Sequence, residues 1–347
     1  MKDKEVILVV GGAGYVGSHM VRMLHEAGYQ VVTFDDLSNG HRSSVLAGNF
    51  IEGTLADKAL LDQVFSIYDI KFVMHFASFI EVGESVREPA KYYHNNVVNT
   101  LNLLDTMVKH DVKKFVFSST AAIFGQPETS LIDENHAKQP INPYGCSKLM
   151  IEQILSDYDH AYGLKSVCLR YFNAAGASVD GRIGERHEPE THLIPLVLQV
   201  AAGIRQSISI FGDDYATRDG TCIRDYIHIV DLCQAHLLAL KKLEQGHSAA
   251  YNLGNGNGFS VREVIETARK VTGHPIPAIV DQRRPGDPAV LVADSQLARQ
   301  ELGWSPNYRD LVVIIQHAWA WEKTLPRKMN NAAQTLNLDT NRKVSAG

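Results

Sequence analysis

Glu5–Val10 (EVILVV) runs directly into Gly11-Gly12-Ala13-Gly14-Tyr15-Val16-Gly17. The first run is nearly all apolar, as a strand buried on both faces requires. Beyond it, Val16, Met20, Met23, Leu24 and Ala27 follow a helical spacing that Gly28 stops. Strand, glycine loop and helix in that order can cradle a phosphate. Residues without a Cβ let the backbone approach a pyrophosphate, and the helix N-terminus offers unpaired N–H groups and a positive partial charge. Tight turns also use glycine, so Gly11, Gly14 and Gly17 need their context. That context is Asp35, which ends the next apolar run, Val31–Phe34, eighteen residues after Gly17. A carboxylate there accepts hydrogen bonds from both adenosine ribose hydroxyls and repels a 2′-phosphate. The pattern predicts NAD rather than NADP; Arg42 is the one nearby base that argues the other way.

The strand signal recurs at Phe50–Ile51, Phe72–Phe76, Phe115–Phe117 and Val167–Leu169, mostly with helical stretches between. Alternation of this kind predicts an α/β fold built on a doubly wound parallel sheet. After about Asn173 the rhythm changes. Ala174–Glu190 reads as loop, followed by a helix over His192–Ala202 and a strand over Ser207–Phe211. Gly212–Gly220 reads as a polar turn region, Asp225–Ile229 as a strand and Val230–Leu243 as a helix. Ala249–Leu253 is a strand candidate, with helices near Val261–Val271 and Leu311–Lys323. The expected organisation is a dinucleotide-binding domain over 1–173, with the 225–253 segment rejoining its sheet. A smaller lobe over 174–325 and a loose polar tail over 326–347 complete it.

Composition excludes several classes. The 347 residues are 45% hydrophobic and 21% charged, which suits a globular protein and not a disordered one. A net charge of −5 argues against a general nucleic-acid or membrane-surface binder. No apolar run reaches the length of a membrane span, and Met1–Lys4 opens without a signal-peptide core. Cys146, Cys168, Cys222 and Cys233 form no CxxC pair, so they read as reduced thiols of a cytoplasmic protein.

Pro143-Tyr144-Gly145-Cys146-Ser147-Lys148 opens another helix, and Tyr144 and Lys148, four apart, share a face. A free tyrosine is a poor base at neutral pH, with a pKa of about 10. A neighbouring ammonium favours the phenolate, so Lys148 is expected to lower Tyr144. An isolated YxxxK would be packing plus a solvated lysine. Here Thr120 ends an intervening strand, where open α/β sheets bind ligands. Thr120, Tyr144 and Lys148 together point to hydride chemistry on an alcohol.

The glycine loop, the Tyr144/Lys148 pair and the strand ending in Thr120 resemble the extended short-chain dehydrogenase/reductase superfamily. The resemblance narrows with His75-Phe76-Ala77, Val82–Val86, Arg170-Tyr171-Phe172-Asn173, Arg224–His228, Tyr251–Gly254 and Arg283–Asp287. In these the chain is similar to the UDP-glucose 4-epimerase family, over roughly residues 5–323. The resemblance implies a Rossmann-type fold with a smaller C-terminal α/β substrate lobe. It implies an isomerase in which a tyrosinate takes the sugar 4-hydroxyl proton while C4 gives hydride to NAD. The 4-keto sugar turns over and takes hydride back on its other face. Thr120 would hydrogen-bond the 4-oxygen, and Lys148 would tune Tyr144 and hold the nicotinamide ribose. Gly11, Gly14, Tyr15, Val16, Gly17, Asp35, Asn39, Phe76, Ala77, Asn95, Tyr144, Lys148 and Phe172 would touch NAD. Asn173, His192, Leu193, Phe211, Arg224, Arg284 and Asp287 would hold the UDP-sugar, the two arginines suiting two phosphates.

The chain departs from the family at four positions. Thr54 replaces an aspartate that contacts adenine, Ile80 a lysine near the cofactor phosphates, and His192 a frequent asparagine. The fourth is Leu291, where the family lines the sugar pocket beside the C2 substituent. Tyrosine there restricts the site to plain hexoses, and leucine is smaller. The expectation is activity on both UDP-galactose and UDP-N-acetylgalactosamine. Val290 and Val292, its neighbours, read as strand residues packed in the core.

A 4,6-dehydratase, a decarboxylase or a UDP-glucuronate/pentose 4-epimerase shares the fold and the Tyr/Lys pair. A dehydratase carries Asp and Glu after the threonine to move further protons. Ala121 and Ala122 stand there. A non-catalytic dinucleotide sensor would keep the glycine loop without needing Thr120, Tyr144 and Lys148 together. Glu185, His187, Glu188, Glu190 and His192 crowd one segment, but Pro189 interrupts them and no zinc-type spacing appears. That segment reads as a solvated or substrate-lining loop, with no metal expected. The helices over Lys91–Lys109 and Tyr144–Tyr162 could pair with their copies as a four-helix bundle. The resemblance implies this homodimer.

Overall fold

β1 (Val6–Val10) is buried along its whole length because its alternate residues serve two cores. Ile7 and Val9 face one apolar cluster, with Met20, Leu24 and Leu240, whereas Val6, Leu8 and Val10 face the other, with Leu61, Leu103 and Ile151. The computed structural model describes residues 5–284 and 287–326. Six further strands complete the main sheet: β2 (Gln30–Asp35), β3 (Asn49–Glu52), β4 (Ile70–His75), β5 (Lys114–Thr120), β6 (Lys165–Tyr171) and β7 (Ala249–Leu253). All neighbours run parallel, in the order β7-β6-β5-β4-β1-β2-β3. Helices Tyr15–Glu26 and Ile229–Glu244 cover one face, and Lys58–Ile67, Asn99–Lys109 and Pro143–Tyr162 the other. The order of connection reverses between β1 and β4, and the crevice outside the carboxyl ends of these strands is where such sheets receive ligands.

A second lobe packs its own core from helices Leu193–Ala201, Val261–Thr272 and Leu311–Glu322. A four-stranded sheet joins Phe259–Ser260, Ile223–Arg224, Val290–Ala293 and Leu131–Ile132 in that order. Two short parallel ribbons pair Asn173–Ala175 with Tyr226–His228 and Ile208–Phe211 with Ala278–Asp281.

Three sequence expectations need correction here. The expected strand over Asp225–Ile229 is broken at its first residue: Ile223–Arg224 and Tyr226–His228 belong to different sheets. The fully buried Asp225 carboxylate causes the break by accepting the backbone N–H groups of Asn255 (2.6 Å), Gly256 (3.0 Å) and Ala293 (3.1 Å). The loop expected over Ala174–Glu190 begins as a strand, because the backbone of Asn173–Ala175 finds a partner remote in sequence. The helix expected over Lys91–Lys109 is not uniform. It widens into a π turn over Tyr93–Val98, a local expansion that often marks functional positions. Residues 327–347, which hold nearly all of the expected tail, and Met1–Lys4 lie outside the described residues. Among the described residues no helix is long and apolar enough to cross a membrane.

Candidate active site

The three glycines after β1 do three different things. Gly11 has φ +79°, and a Cβ on it would lie 2.4 Å from the Ala77 nitrogen, so it makes the tight turn beside the β4 end. A Cβ on Gly17 would lie 2.1 Å from the Gly11 carbonyl oxygen, so Gly17 lets the helix pack on the loop. Around Gly14 a Cβ would meet only the Gly11 carbonyl oxygen, at 3.5 Å. That open space faces a cleft lined by Gly11, Gly14, Asp35, Asn39, Phe76, Ala77 and Asn95. Backbone approach without a side chain is what a pyrophosphate needs. Ser78 also lines the cleft, and its buried hydroxyl has no hydrogen-bond partner.

Asp35 lines the same cleft. Its Oδ2 accepts the Ala13 N–H at 2.9 Å and its Oδ1 the Leu37 N–H at 2.8 Å, so the carboxylate is aimed by the glycine loop itself. Burial raises its pKa, against these two hydrogen bonds. The cleft lining includes Asp36 and no Lys or Arg. Arg42 is not among the lining residues, and its guanidinium lies 4.4 Å from the Phe50 ring centroid. Thr54 lines the cleft, whereas Ile80 is not among its lining residues. Tyr15 is held by a hydrogen bond from its hydroxyl to the Gly176 carbonyl (2.7 Å), and Val16 packs against the core. The residues present thus fit a dinucleotide without a 2′-phosphate.

The second group gathers at the carboxyl end of β5. Thr120 ends that strand and its Oγ1 accepts the Ala122 N–H at 3.1 Å. Asn142 caps the helix Pro143–Tyr162 by accepting the Gly145 N–H at 2.9 Å, which places Tyr144 in the first turn. Lys148, one turn on, is 4% exposed; its Nζ donates to the Ser118 carbonyl at 3.0 Å and lies 6.0 Å from the Tyr144 ring centroid. The electrostatics differ from the sequence expectation. Burial raises Tyr144, and the opposing influence comes from the Thr120 hydroxyl, not from Lys148. Burial also pushes Lys148 down to about 7, against the attraction of Glu152. The physical reason is that one desolvated pocket penalises phenolate and ammonium alike.

Sequence reasoning missed Glu152. It sits four residues beyond Lys148, a spacing that could have revealed it. Its carboxylate accepts the Ser119 hydroxyl at 2.6 Å and a two-pronged ion pair from Arg170, with Nη2 to Oε2 at 2.6 Å. The helix carrying Tyr144 is thereby tied to β5 beside Thr120 and to β6. Asn96, in the π turn, was missed as well. Its amide donates to the Phe79 carbonyl (3.1 Å) and the Ser147 hydroxyl (3.0 Å), and its oxygen accepts the Phe79 N–H (2.9 Å). That joins the segment after β4 to the tyrosine helix.

Arg224 is ion-paired with Asp287, and the Arg284 guanidinium lies 4.0 Å from the Phe211 ring centroid. Asn173 donates its side-chain N–H to the Asp225 carbonyl at 2.8 Å. His192 precedes, and Leu193 opens, the helix Leu193–Ala201. Leu291 and Phe172 are partly buried together with Ala121 and Leu149 around Ile123, Phe124 and Ile132. Of its neighbours Val292 is buried and Val290 only half-buried.

The segment expected to be a solvated or substrate-lining loop is a loop, but its Glu185 and Glu190 side chains are buried rather than solvated. The chain bends at 188–189 and brings Glu185, His187, Glu190 and His192 together, leaving Glu188 exposed. The segment is not helical, so the crowding visible in the sequence did not predict that these four side chains meet. Burial opposes charge on His187, but the Glu185 and Glu190 carboxylates outweigh it and hold the imidazole up at about 9.

The comparisons agree with this geometry. Residues 7–254 match the model of the NAD dependent epimerase/dehydratase family. The chain is 55% identical over 321 residues to a UDP-glucose 4-epimerase of Halalkalibacterium halodurans, covering 92% of this chain and 96% of the relative. A crystal structure of a UDP-glucose 4-epimerase superposes with a TM-score of 0.92 at 52% identity, covering 93% of this chain and 99% of the other. The UDP-glucose 4-epimerase of Brucella ovis, solved in complex with NAD, superposes with a TM-score of 0.89 at 48% identity, covering 91% and 97%. With its glycine cradle, its acid at the end of β2 and its Thr/Tyr/Lys cluster, the chain belongs to the NAD dependent epimerase/dehydratase family.

Proposed function

We propose that the protein is an NAD-dependent isomerase that interconverts UDP-hexoses at C4. The observation that carries this reading is the Thr120/Tyr144/Lys148 cluster at the β5 end, with Thr120 and Lys148 buried and Tyr144 half-buried, followed by a turn whose first residues are Ala121 and Ala122. These groups can move one proton on one alcohol, and 121 and 122 offer nothing for a second elimination. The names carried by the similar proteins support the same reaction.

NAD, when bound, supplies the hydride acceptor and donor through which the sugar passes by way of a transient 4-keto form. The chain does the rest. Gly11, Gly14 and Gly17 admit the pyrophosphate, and Asp35 takes the adenosine ribose. Tyr144 removes the proton from the sugar 4-hydroxyl and returns it, with Thr120 hydrogen-bonded to the same oxygen. Lys148 would hold the nicotinamide ribose, and the Thr120 hydroxyl favours the phenolate. Arg224 and Arg284 pair with the diphosphate, which requires Arg224 to leave Asp287 or share it. Asn173, His192, Leu193 and Phe211 complete the sugar-nucleotide wall. Four free thiols fit a reducing cytoplasm. The test is incubation with UDP-galactose and no added reductant. UDP-glucose should accumulate to equilibrium; no conversion would end the proposal.

Leu291 packs beside Phe172 and Ala121, and we propose that it leaves room at the sugar C2 that a tyrosine would fill. Leu291→Tyr is expected to lower kcat/KM for UDP-N-acetylgalactosamine roughly ten- to hundredfold more than for UDP-galactose, since added bulk bears only on the larger substrate. Equal losses for both sugars would show that Leu291 does not gate the pocket.

A homodimer through the two long helical segments completes the reading. Val98, Met150 and Tyr162 are exposed there, 43%, 47% and 50%, which suits a two-fold contact. Light scattering should give about twice the chain mass of 38.4 kDa. A single-chain mass at micromolar concentration would contradict it.

A further inference from the structure

Ser78 stands just past the end of β4, in a stretch whose backbone is pinned on both sides. On one side the N–H groups of Phe76 and Ala77 share the Val10 carbonyl, at 2.8 and 3.2 Å, and the Ala77 nitrogen lies only 2.4 Å from where a Cβ on Gly11 would fall. On the other, Phe79 exchanges two hydrogen bonds with the Asn96 side-chain amide. Between these anchors Ser78 lines the same cleft as Gly11, Gly14 and Asp35. Its hydroxyl oxygen is buried and makes no hydrogen bond. We propose that Ser78 is a cofactor-binding residue whose hydroxyl donates to an oxygen of the dinucleotide's diphosphate.

Three observations carry this assignment. The first is the unmatched hydroxyl itself. Buried polar groups are normally satisfied, and one left without a partner lowers stability. The other hydroxyl-bearing residues of the lining raise no such question: Thr54 Oγ1 accepts the Ala56 N–H at 3.3 Å, and Ser38 is exposed to water. The second is charge. The lining holds Asp35 and Asp36 but no lysine, arginine or histidine, so two phosphates must be met there by neutral donors. The helix Tyr15–Glu26 supplies some of them. It opens at Gly14 without a side-chain cap and has no acid in its first turn, which leaves its first N–H groups for an anion. Ser78 adds a donor from a second segment, and a hydrogen bond to an ionised acceptor is of the stronger kind. The third is place. Ala77 abuts Gly11, the turn that admits the diphosphate, and Ser78 is one residue beyond that contact.

The hydroxyl can meet an arriving oxygen without disturbing the fold. It gives up no existing hydrogen bond, its proton rotates freely, and its side chain turns between staggered positions on a fixed backbone. The unmatched group is a small loss of stability held in reserve for binding, a local departure of the kind that marks functional positions. The inference deepens the NAD-binding reading of the cleft and rests on it, not on the sugar chemistry proposed above.

The test compares the full chain with its Ser78→Ala variant, both freed of nucleotide, by titration calorimetry with NAD and with ADP-ribose and by thermal unfolding. Loss of one hydrogen bond to a charged oxygen should weaken both ligands roughly tenfold or more. The same substitution deletes an unpaired buried hydroxyl, so the nucleotide-free variant should unfold at the parental temperature or above it. A merely structural role would lower affinity and unfolding temperature together. An ADP-ribose affinity within about twofold of the parent's would overturn the proposal, because a hydrogen bond to phosphate contributes more than that. A loss confined to NAD would overturn it by placing the contact at the nicotinamide, and a lowered unfolding temperature in the nucleotide-free variant would overturn it by making the hydroxyl structural. A parent that bound neither ligand would sink the NAD-binding reading and the proposal with it. Binding without turnover of UDP-galactose would sink the epimerase reading alone.

Discussion

Tyr144→Phe is expected to slow UDP-galactose turnover by about 10²–10⁴-fold, the usual contribution of a positioned acid/base, while bound NAD and the unfolding temperature stay near parental values. The substitution removes one oxygen and keeps the ring, so packing survives. What is lost is the group that exchanges the 4-hydroxyl proton. Thr120 cannot replace it, because its hydroxyl is a far weaker acid than a phenol. The measurement is kcat together with NAD content per chain. Turnover near the parental rate would remove Tyr144 from the mechanism. A matching loss of NAD would instead make it a cofactor contact.

Arg170→Met is expected to destabilise the protein by about 3–5 kcal/mol, because it leaves a buried carboxylate without its partner. The Arg170 and Glu152 side chains are only 6% and 9% exposed, so water cannot compensate. The lost pair also releases the Ser119 hydroxyl from the constraint that now aligns the end of β5 with the tyrosine helix. A lower denaturation midpoint should therefore accompany a lower kcat. The double variant Arg170→Met/Glu152→Leu removes both charges and should regain much of the stability but not the activity. Unchanged midpoints in the single variant would show that the pair is solvated in solution.

The residues with local signatures were legible in the chain. Gly11, Gly14, Gly17 and Asp35 occupy one strand–turn–helix–strand unit, where spacing along the sequence maps onto spacing in the cleft. Tyr144 and Lys148 were legible because a helix fixes their relative position. Their electrostatics were not, because a pKa depends on burial by distant segments. The expected lowering of Tyr144 gave way to a rise once the pocket closed around it. Asn96 and Glu152 escaped notice for a related reason: their partners, Arg170 among them, lie 17 to 51 positions away.

By itself, then, the order of apolar runs and glycines determined a parallel doubly wound sheet, its dinucleotide loop and the acid at the end of β2. These follow from hydrophobic period and local backbone geometry, which neighbouring residues control. Tertiary structure decided the rest. Asp225 splits a continuous apolar run into strands of two sheets, because its carboxylate binds backbone from two later segments. Glu185, His187, Glu190 and His192 crowd a segment that is not helical, and a bend in the chain and an anchor from Trp321 help turn them toward one point. Contacts of that kind are made by folding itself, and no period along the chain encodes them.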